Sequence, residues 1–226
     1  MYSIVLWIIV VLLLYRLSKR AQFIPISDGK QRLLMTIRCF QGVANFKQDL
    51  RLFTQNNQQI YLIRKQFSDK CLIYFHGGRS HCMYRRSMIS LLYNYGSVMT
   101  CDYQYRGKEL VNPKMMIDLA IKQGYRYDQI CIIGETISCE FAVDLSNNYP
   151  HHSLLLIMPK KCYRINNPDR CMILHTPDKI PQKTQHRCLV NGNDNAIIVS
   201  DYCIYEISRF FDGLSQLYVT DNVSHK

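Results

Sequence analysis

A hydroxyl residue at the end of an apolar segment is the first candidate for chemistry in this sequence. The apolar segment Gln129–Gly134 is followed by Glu135-Thr136-Ile137-Ser138, and a helical pattern begins at Cys139. A strand that enters a helix through small residues predicts a sharp turn with one side chain at its tip, called a nucleophile elbow. Thr136 takes the tip position. An alcohol is a poor nucleophile at neutral pH until a base takes its proton, so this chemistry needs partners elsewhere in the chain.

The segments around this turn predict a mostly parallel sheet with helices on both faces. Nearly all-apolar strand segments alternate with helical patterns, which is typical of an α/β domain. The predicted strands are 50–54, 60–64, 71–75, 97–102, 129–134, 153–158, 187–191 and 216–220. The predicted helices are 84–95, 112–124, 139–146 and 200–211. We expect the first two strands to form a hairpin, and Lys160–Gln185 to form a loop across the top of the sheet.

Composition indicates one folded domain with a short extension. The chain has 226 residues, of which 48% are hydrophobic and 20% charged, and this balance excludes wholesale disorder. The formal net charge of +11 fits an acidic partner. The basic residues are scattered, however, and aromatic residues are not interleaved with them, so we expect no nucleic-acid partner.

Cysteine is frequent, with ten residues, but no C-x-x-C pair occurs. Several cysteines lie in apolar strand segments, where a thiol behaves as a small buried hydrophobic group. The spacing predicts neither a metal site nor a bound cofactor. Free thiols in a reducing compartment are favoured, and disulfides in an oxidising compartment are the alternative.

The amino terminus predicts a membrane anchor. Residues 1–15 have no charged side chain, and Arg16, Lys19 and Arg20 follow at once. A helix through residue 17 would reach roughly 25 Å, slightly less than a bilayer core. We expect residues 1–17 to contact the lipid bilayer as a single span, with 1–20 as anchor, 21–47 as linker and 48–226 as the main domain. The flanking charges favour a cytosolic domain. A cleaved signal peptide is one alternative, and the reversed topology, with the domain luminal or extracellular, is another.

Polar residues and glycines follow the carboxyl ends of the predicted strands. Ligands bind at this edge of a parallel sheet. The segments are His76-Gly77-Gly78, Asp102–Gly107, Gly134–Ser138, Asn191–Asp194 and Asp221–His225.

These segments, taken in order, resemble the α/β-hydrolase superfamily, and within it the membrane-anchored α/β-hydrolase-domain-containing serine hydrolases. The resemblance covers roughly residues 49–225. It rests on Tyr74-Phe-His-Gly-Gly78, Asp102-Tyr-Gln-Tyr-Arg-Gly-Lys108, the elbow Gly134–Ser138, Asn191-Gly-Asn-Asp194 and Val223-Ser-His225. It implies an α/β-hydrolase fold and the hydrolysis of ester or thioester bonds, with an acyl or lipid substrate.

The resemblance also implies roles for individual residues. Thr136 takes the position of the nucleophile, Asp194 that of the acid and His225 that of the base. The backbone amides of Gly78 and Ile137 would form the oxyanion hole. The family usually carries serine where Thr136 stands. Two alternatives follow: Thr136 caps the helix after the turn, or the chain is a non-catalytic binding or scaffold protein on the same fold.

Overall fold

The computed structural model of the chain describes nine ranges, all within one compact unit, Cys39–Lys226. They are 50–55, 58–77, 82–101, 112–149, 152–160, 162–175, 186–189, 205 and 207–211. The predicted anchor and linker, at 1–20 and 21–47, and the predicted strand at 216–220 lie outside these ranges. Among the described residues, no helix has the length and apolar character that crossing a membrane requires.

The described ranges contain eight strands in one sheet. The strands are β1 Leu50–Gln55, β2 Gln58–Ile63, β3 Cys71–Phe75, β4 Ser97–Cys101, β5 Ile130–Glu135, β6 Ser153–Ile157, β7 Cys171–His175 and β8 His186–Leu189. Their order across the sheet is β1-β2-β4-β3-β5-β6-β7-β8. The first two pairings, β1 with β2 and β2 with β4, are antiparallel, and the remaining five are parallel. The predicted hairpin and mostly parallel sheet are confirmed.

Three α-helices connect strands in the described part of the chain: α1 Arg86–Tyr93, α2 Pro113–Lys122 and α3 Cys139–Asn148. Single 3₁₀ turns lie at Cys82–Arg85, Tyr127–Gln129, Thr136–Ser138 and Pro168–Arg170, and 207–211 is helical. Helix α2 begins as its sequence predicts, because Asn112 Oδ1 accepts a hydrogen bond from Lys114 N at 3.1 Å. After its end the chain turns at Gly124, whose φ of +94° favours glycine.

Both faces of the sheet are covered. Every residue of β3, β4 and β5 is buried. One alternating set of strand side chains, which includes Ile73 and Ile132, packs with residues of α2 and α3 in a single apolar core. Successive side chains of a strand face opposite sides, so Leu72 and Ile133 face the other layer, where α1 contacts β4. The expected three-layer arrangement is confirmed.

The prediction that Lys160–Gln185 forms one loop is wrong. Strand β7 lies inside it and pairs in parallel with β6, Leu155 opposite Met172. The run from Cys171 to Leu174 is apolar and fully buried. The prolines and charges around this four-residue run hid it in the sequence, and its pairing with a buried neighbour overrides the loop-like composition of its flanks.

The strand order has a switch point at one position of the sheet. Strand β3 lies between β4 and β5, so the chain moves to one side of β3 first and to the other side afterwards. Such a switch point leaves a crevice between the carboxyl ends of the two strands concerned, and ligands bind there in open α/β sheets. Strand β3 ends just before His76, and strand β5 ends at Glu135. The predicted elbow therefore lies at the switch point.

Seven of the cysteines in the described ranges are free thiols, and all of these but Cys162 are buried. Burial raises the pKa of the Cys71 thiol to about 12. It also raises the pKa of Cys131, Cys139 and Cys171 well above the usual range. These four thiols are therefore protonated at neutral pH and are poor nucleophiles.

Removal of the cap at Asn112 tests the local origin of α2. We expect Asn112→Ala to lower the free energy of unfolding by about 1 kcal/mol, because Lys114 N loses its acceptor. Urea denaturation of the full chain measures the change. Asn94→Ala is the matched control, because Asn94 is an exposed asparagine just after α1, and its change should stay within about 0.5 kcal/mol. Equal losses in the two variants would contradict the capping role.

Candidate active site

Thr136 lies at the tip of a strained turn between β5 and α3. Its φ is 52°, in the left-handed region that a β-branched residue rarely adopts. A 3₁₀ turn, Thr136–Ser138, leads from the strand into the helix. The N-cap residue of α3 is Ser138, so the structure does not assign the cap to Thr136. The sharp strand-turn-helix connection is the one that the sequence predicts.

Gly134 allows the helix to pack directly on the strand. A methyl group at Gly134 would lie 2.7 Å from both Cys139 Cα and Ala142 Cβ. The first of these atoms belongs to the backbone, so it cannot move aside without displacing the helix. The absence of a side chain at Gly134 is therefore what lets the chain reverse direction within a few residues.

Gly77 brings the end of β3 against the hydroxyl of Thr136. A methyl group at Gly77 would lie 2.3 Å from Thr136 Oγ1 and 3.0 Å from the carbonyl oxygen of Glu135. The hydroxyl thus lies against bare backbone at the switch point. Thr136 itself is half-buried, which leaves its side chain partly accessible.

A buried carboxylate lies beside the turn. Only 6% of the Glu135 side chain is exposed. Its Oε2 accepts hydrogen bonds from the Tyr74 hydroxyl at 2.5 Å and from Gly77 N at 2.8 Å. Its Oε1 lies 3.3 Å from Arg85 Nη2. A buried charge is tolerated when it is paired and hydrogen-bonded, and Glu135 meets both conditions.

Two further hydrogen bonds hold the backbone that follows β3. Arg85 Nη2 donates to the carbonyl oxygen of Gly77 at 3.0 Å. Ser138 Oγ donates to the carbonyl oxygen of His76 at 2.7 Å. The backbone at His76 and Gly77 is therefore held by side chains from the elbow and from the 3₁₀ turn before α1.

The predicted site residues divide into two groups. Thr136 and Ile137 are described, and the fold brings them to the carboxyl end of β3. Gly78, Asp194 and His225 lie outside the described ranges. The triad of Thr136, Asp194 and His225, and the pairing of Gly78 with Ile137 as an oxyanion hole, stay predictions.

Tyr74, Arg85 and Glu135 were not predicted as site residues. The structure directs the Glu135 carboxylate to Gly77 N, Tyr74 and Arg85. One sequence signal could have indicated this. A carboxylate at the end of an all-buried strand needs a cation and hydrogen-bond donors, since acidic residues are almost never fully buried unless paired.

Comparison with known proteins supports the fold. No family model matches the chain. Among solved structures, the Francisella virulence factor BioJ matches with a TM-score of 0.56 and 9% identity, covering 83% of this chain and 91% of that one. A sugar hydrolase, YeeB, from Lactococcus lactis matches with a TM-score of 0.52 and 14% identity, covering 76% and 99%. An esterase of the bacterial hormone-sensitive lipase family matches with a TM-score of 0.51 and 10% identity, covering 79% and 89%.

Part of the chain is similar in sequence to a viral protein. The uncharacterised protein R595 of Acanthamoeba polyphaga mimivirus is 29% identical over 119 residues, which covers 43% of this chain and 40% of that protein. The match thus spans about two fifths of the curated relative. Together with the sheet order and the elbow, the structural matches show that the described domain has the α/β-hydrolase fold.

Substitution at Gly77 tests the close contact with the Thr136 hydroxyl. We expect Gly77→Ala to lower the free energy of unfolding by about 1–3 kcal/mol, because the new methyl group collides with Thr136 Oγ1. In a Thr136→Ala background the same change should cost at least about 0.5 kcal/mol less, since the colliding oxygen is gone. Urea denaturation of the four proteins measures this coupling. If the two substitutions lower the free energy of unfolding by strictly additive amounts, the hydroxyl does not face Gly77.

Proposed function

We propose that the chain is a membrane-anchored hydrolase of carboxylic ester or thioester bonds with Thr136 as its nucleophile. One observation carries the proposal. A hydroxyl residue is held at φ 52° on a strand-turn-helix tip, at the switch point of the sheet and against bare backbone at Gly77. This is the local geometry that presents a nucleophile in the α/β-hydrolase fold.

The proposed reaction proceeds through an acyl-enzyme. Thr136 Oγ1 attacks the carbonyl carbon while His225 takes the hydroxyl proton, and Asp194 stabilises the resulting imidazolium. The carbonyl electrons move to the oxygen, which Ile137 N–H and Gly78 N–H stabilise. Loss of one such donor typically costs roughly 3–4 kcal/mol of transition-state stabilisation. The leaving alcohol or thiol takes the proton from His225, and water then releases the acid by the reverse sequence.

The proposed substrate is an acyl or lipid molecule at a membrane surface. The amino-terminal segment 1–17 would hold the domain next to the bilayer, and the charges at Arg16, Lys19 and Arg20 favour the cytosolic side. An esterase shares the fold, which supports ester chemistry as a class.

A binding or scaffold protein on the same fold is the second candidate, and one observation favours it. Thr136 carries a methyl group that restricts rotation about χ1, in a left-handed backbone conformation that already disfavours β-branched residues. A hydroxyl fixed in the wrong rotamer cannot reach a substrate carbonyl. The two candidates differ in whether Thr136 reacts.

Covalent labelling with a fluorophosphonate probe tests the reactivity of Thr136. We expect the full chain to be labelled at Thr136, because an activated hydroxyl displaces fluoride from phosphorus. Thr136→Ala should abolish labelling, and Thr136→Ser should retain it. Thr54→Ala is the matched control, since Thr54 is exposed on β1 and its loss should leave the rate unchanged. Mass spectrometry of the labelled peptide identifies the modified residue.

The outcomes separate the two candidates. Failure to label the wild-type chain, under conditions that label a control hydrolase, contradicts the hydrolase proposal. If the Thr136→Ser variant is not labelled either, the result supports the binding or scaffold protein. Labelling that appears only in Thr136→Ser contradicts the hydrolase proposal, because the methyl group would then block a site that is otherwise assembled.

Membrane extraction tests the anchor. We expect the full chain to remain in the membrane pellet after alkaline carbonate treatment. Arginine at both Ile9 and Leu12 should move it to the supernatant, because each charge near the middle of a span costs about 2.5–3.5 kcal/mol on insertion scales. Leu52→Arg is the matched control, since Leu52 is an exposed leucine of β1. Recovery of the wild-type chain in the supernatant would contradict the anchor.

A further inference from the structure

Next to the elbow, hydrogen bonds and an ion pair join four residues that take no part in the proposed reaction: Tyr74, Gly77, Arg85 and Glu135. We propose that the side chains of Glu135 and Arg85 act as a clamp on the backbone of Gly77. The Glu135–Arg85 clamp positions the backbone opposite Thr136 so that the next peptide N–H can serve as an oxyanion donor. Its role in catalysis rests on the proposed function.

The clamp holds both polar backbone groups of one glycine. Gly77 N donates to Glu135 Oε2 at 2.8 Å, and the carbonyl oxygen of Gly77 accepts from Arg85 Nη2 at 3.0 Å. The same Nη2 lies 3.3 Å from Glu135 Oε1, so the two side chains also hold each other. Glycine has more backbone freedom than any other residue, and a glycine beside a reacting group therefore needs external restraint.

The hydrogen bond from Arg85 restrains the orientation of the Gly77 carbonyl group as well as its position. In a trans peptide the carbonyl group and the following N–H lie in one plane and point in opposite directions. A guanidinium that holds the carbonyl oxygen of Gly77 would therefore restrain the following N–H as well. That N–H belongs to Gly78, the predicted oxyanion donor. A donor is useful only about 2.7–3.1 Å from the oxyanion, so a modest rotation of this peptide would remove it.

The clamp also offsets an unfavourable charge. Glu135 precedes the nucleophile, and a free carboxylate there would repel a developing oxyanion. Arg85 supplies the compensating positive charge, while Tyr74 and Gly77 N occupy the Oε2 oxygen. Removal of Arg85 would leave a buried carboxylate without its cation. The two members of the clamp should therefore act as a unit.

Hydrogen exchange of the Gly77 amide tests the clamp without reference to activity. In the full chain we expect Arg85→Met and Glu135→Gln to raise the exchange rate at Gly77 by about tenfold or more, because local opening becomes easier. Exchange in α2 should stay unchanged. Arg126→Met is the matched control, since it removes an exposed arginine that pairs with Asp128 at 3.0 Å. An unchanged rate at Gly77 in both clamp variants overturns the proposal.

The fluorophosphonate labelling rate tests the catalytic role. We expect Arg85→Met to lower the maximal rate of labelling at Thr136 about 100-fold, with the half-saturating probe concentration changed less than about threefold. Arg85→Lys should recover part of the rate, since an ammonium restores the charge but not the planar geometry. A role in stability alone would lower the melting temperature and leave the labelling rate of the folded protein unchanged, which overturns the positioning role.

The two readouts separate this inference from the proposed function. Absence of labelling in the wild-type chain refutes the proposed function and, with it, the catalytic role of the clamp. Faster exchange at Gly77 in the clamp variants then still supports the clamp as the restraint on this backbone.

Discussion

The site depends on a close approach of three backbone segments that leaves no room for side chains. Gly134 lets α3 pack on β5, since a methyl group there would lie 2.7 Å from the helix backbone. Gly77 lets the end of β3 meet the Thr136 hydroxyl. Two residues after Gly134 and against Gly77, the chain adopts a left-handed conformation at Thr136. Each contact requires the others, because the turn is tight only while the helix and the neighbouring strand both remain in place.

The buried charge of Glu135 is stabilised by an ion pair and by hydrogen bonds. Glu135 ends a strand whose residues are all buried, yet its carboxylate accepts hydrogen bonds from Tyr74 and Gly77 N and pairs with Arg85. The partners come from β3 and from the 3₁₀ turn before α1, which are about 50 or more positions away in sequence. The buried carboxylate therefore joins three parts of the chain at the same edge of the sheet, and loss of Arg85 would leave its charge uncompensated.

Much of the fold could be predicted from the sequence, because its signals are local. Cys71–Phe75 has the predicted bounds, and Asn112 caps α2 as its position before Pro113 indicates. Strand β7 was missed, because four apolar residues among prolines and charges give a weak signal until a neighbouring strand pairs with them. The contact between Glu135 and Arg85 could not be predicted, since it joins two side chains that are far apart in the sequence and local patterns do not specify such contacts.

The position of the elbow in the sheet has a consequence for motion. Strands β3 and β5 are central, each with a hydrogen-bonded neighbour on both sides. Central strands usually open with a free energy close to that of global unfolding, whereas edge strands and loops open far more easily. Thr136 is therefore attached to the part of the domain that fluctuates least. Its hydroxyl should keep its place for about as long as the domain stays folded, and a substrate would have to fit this fixed point rather than induce it to move.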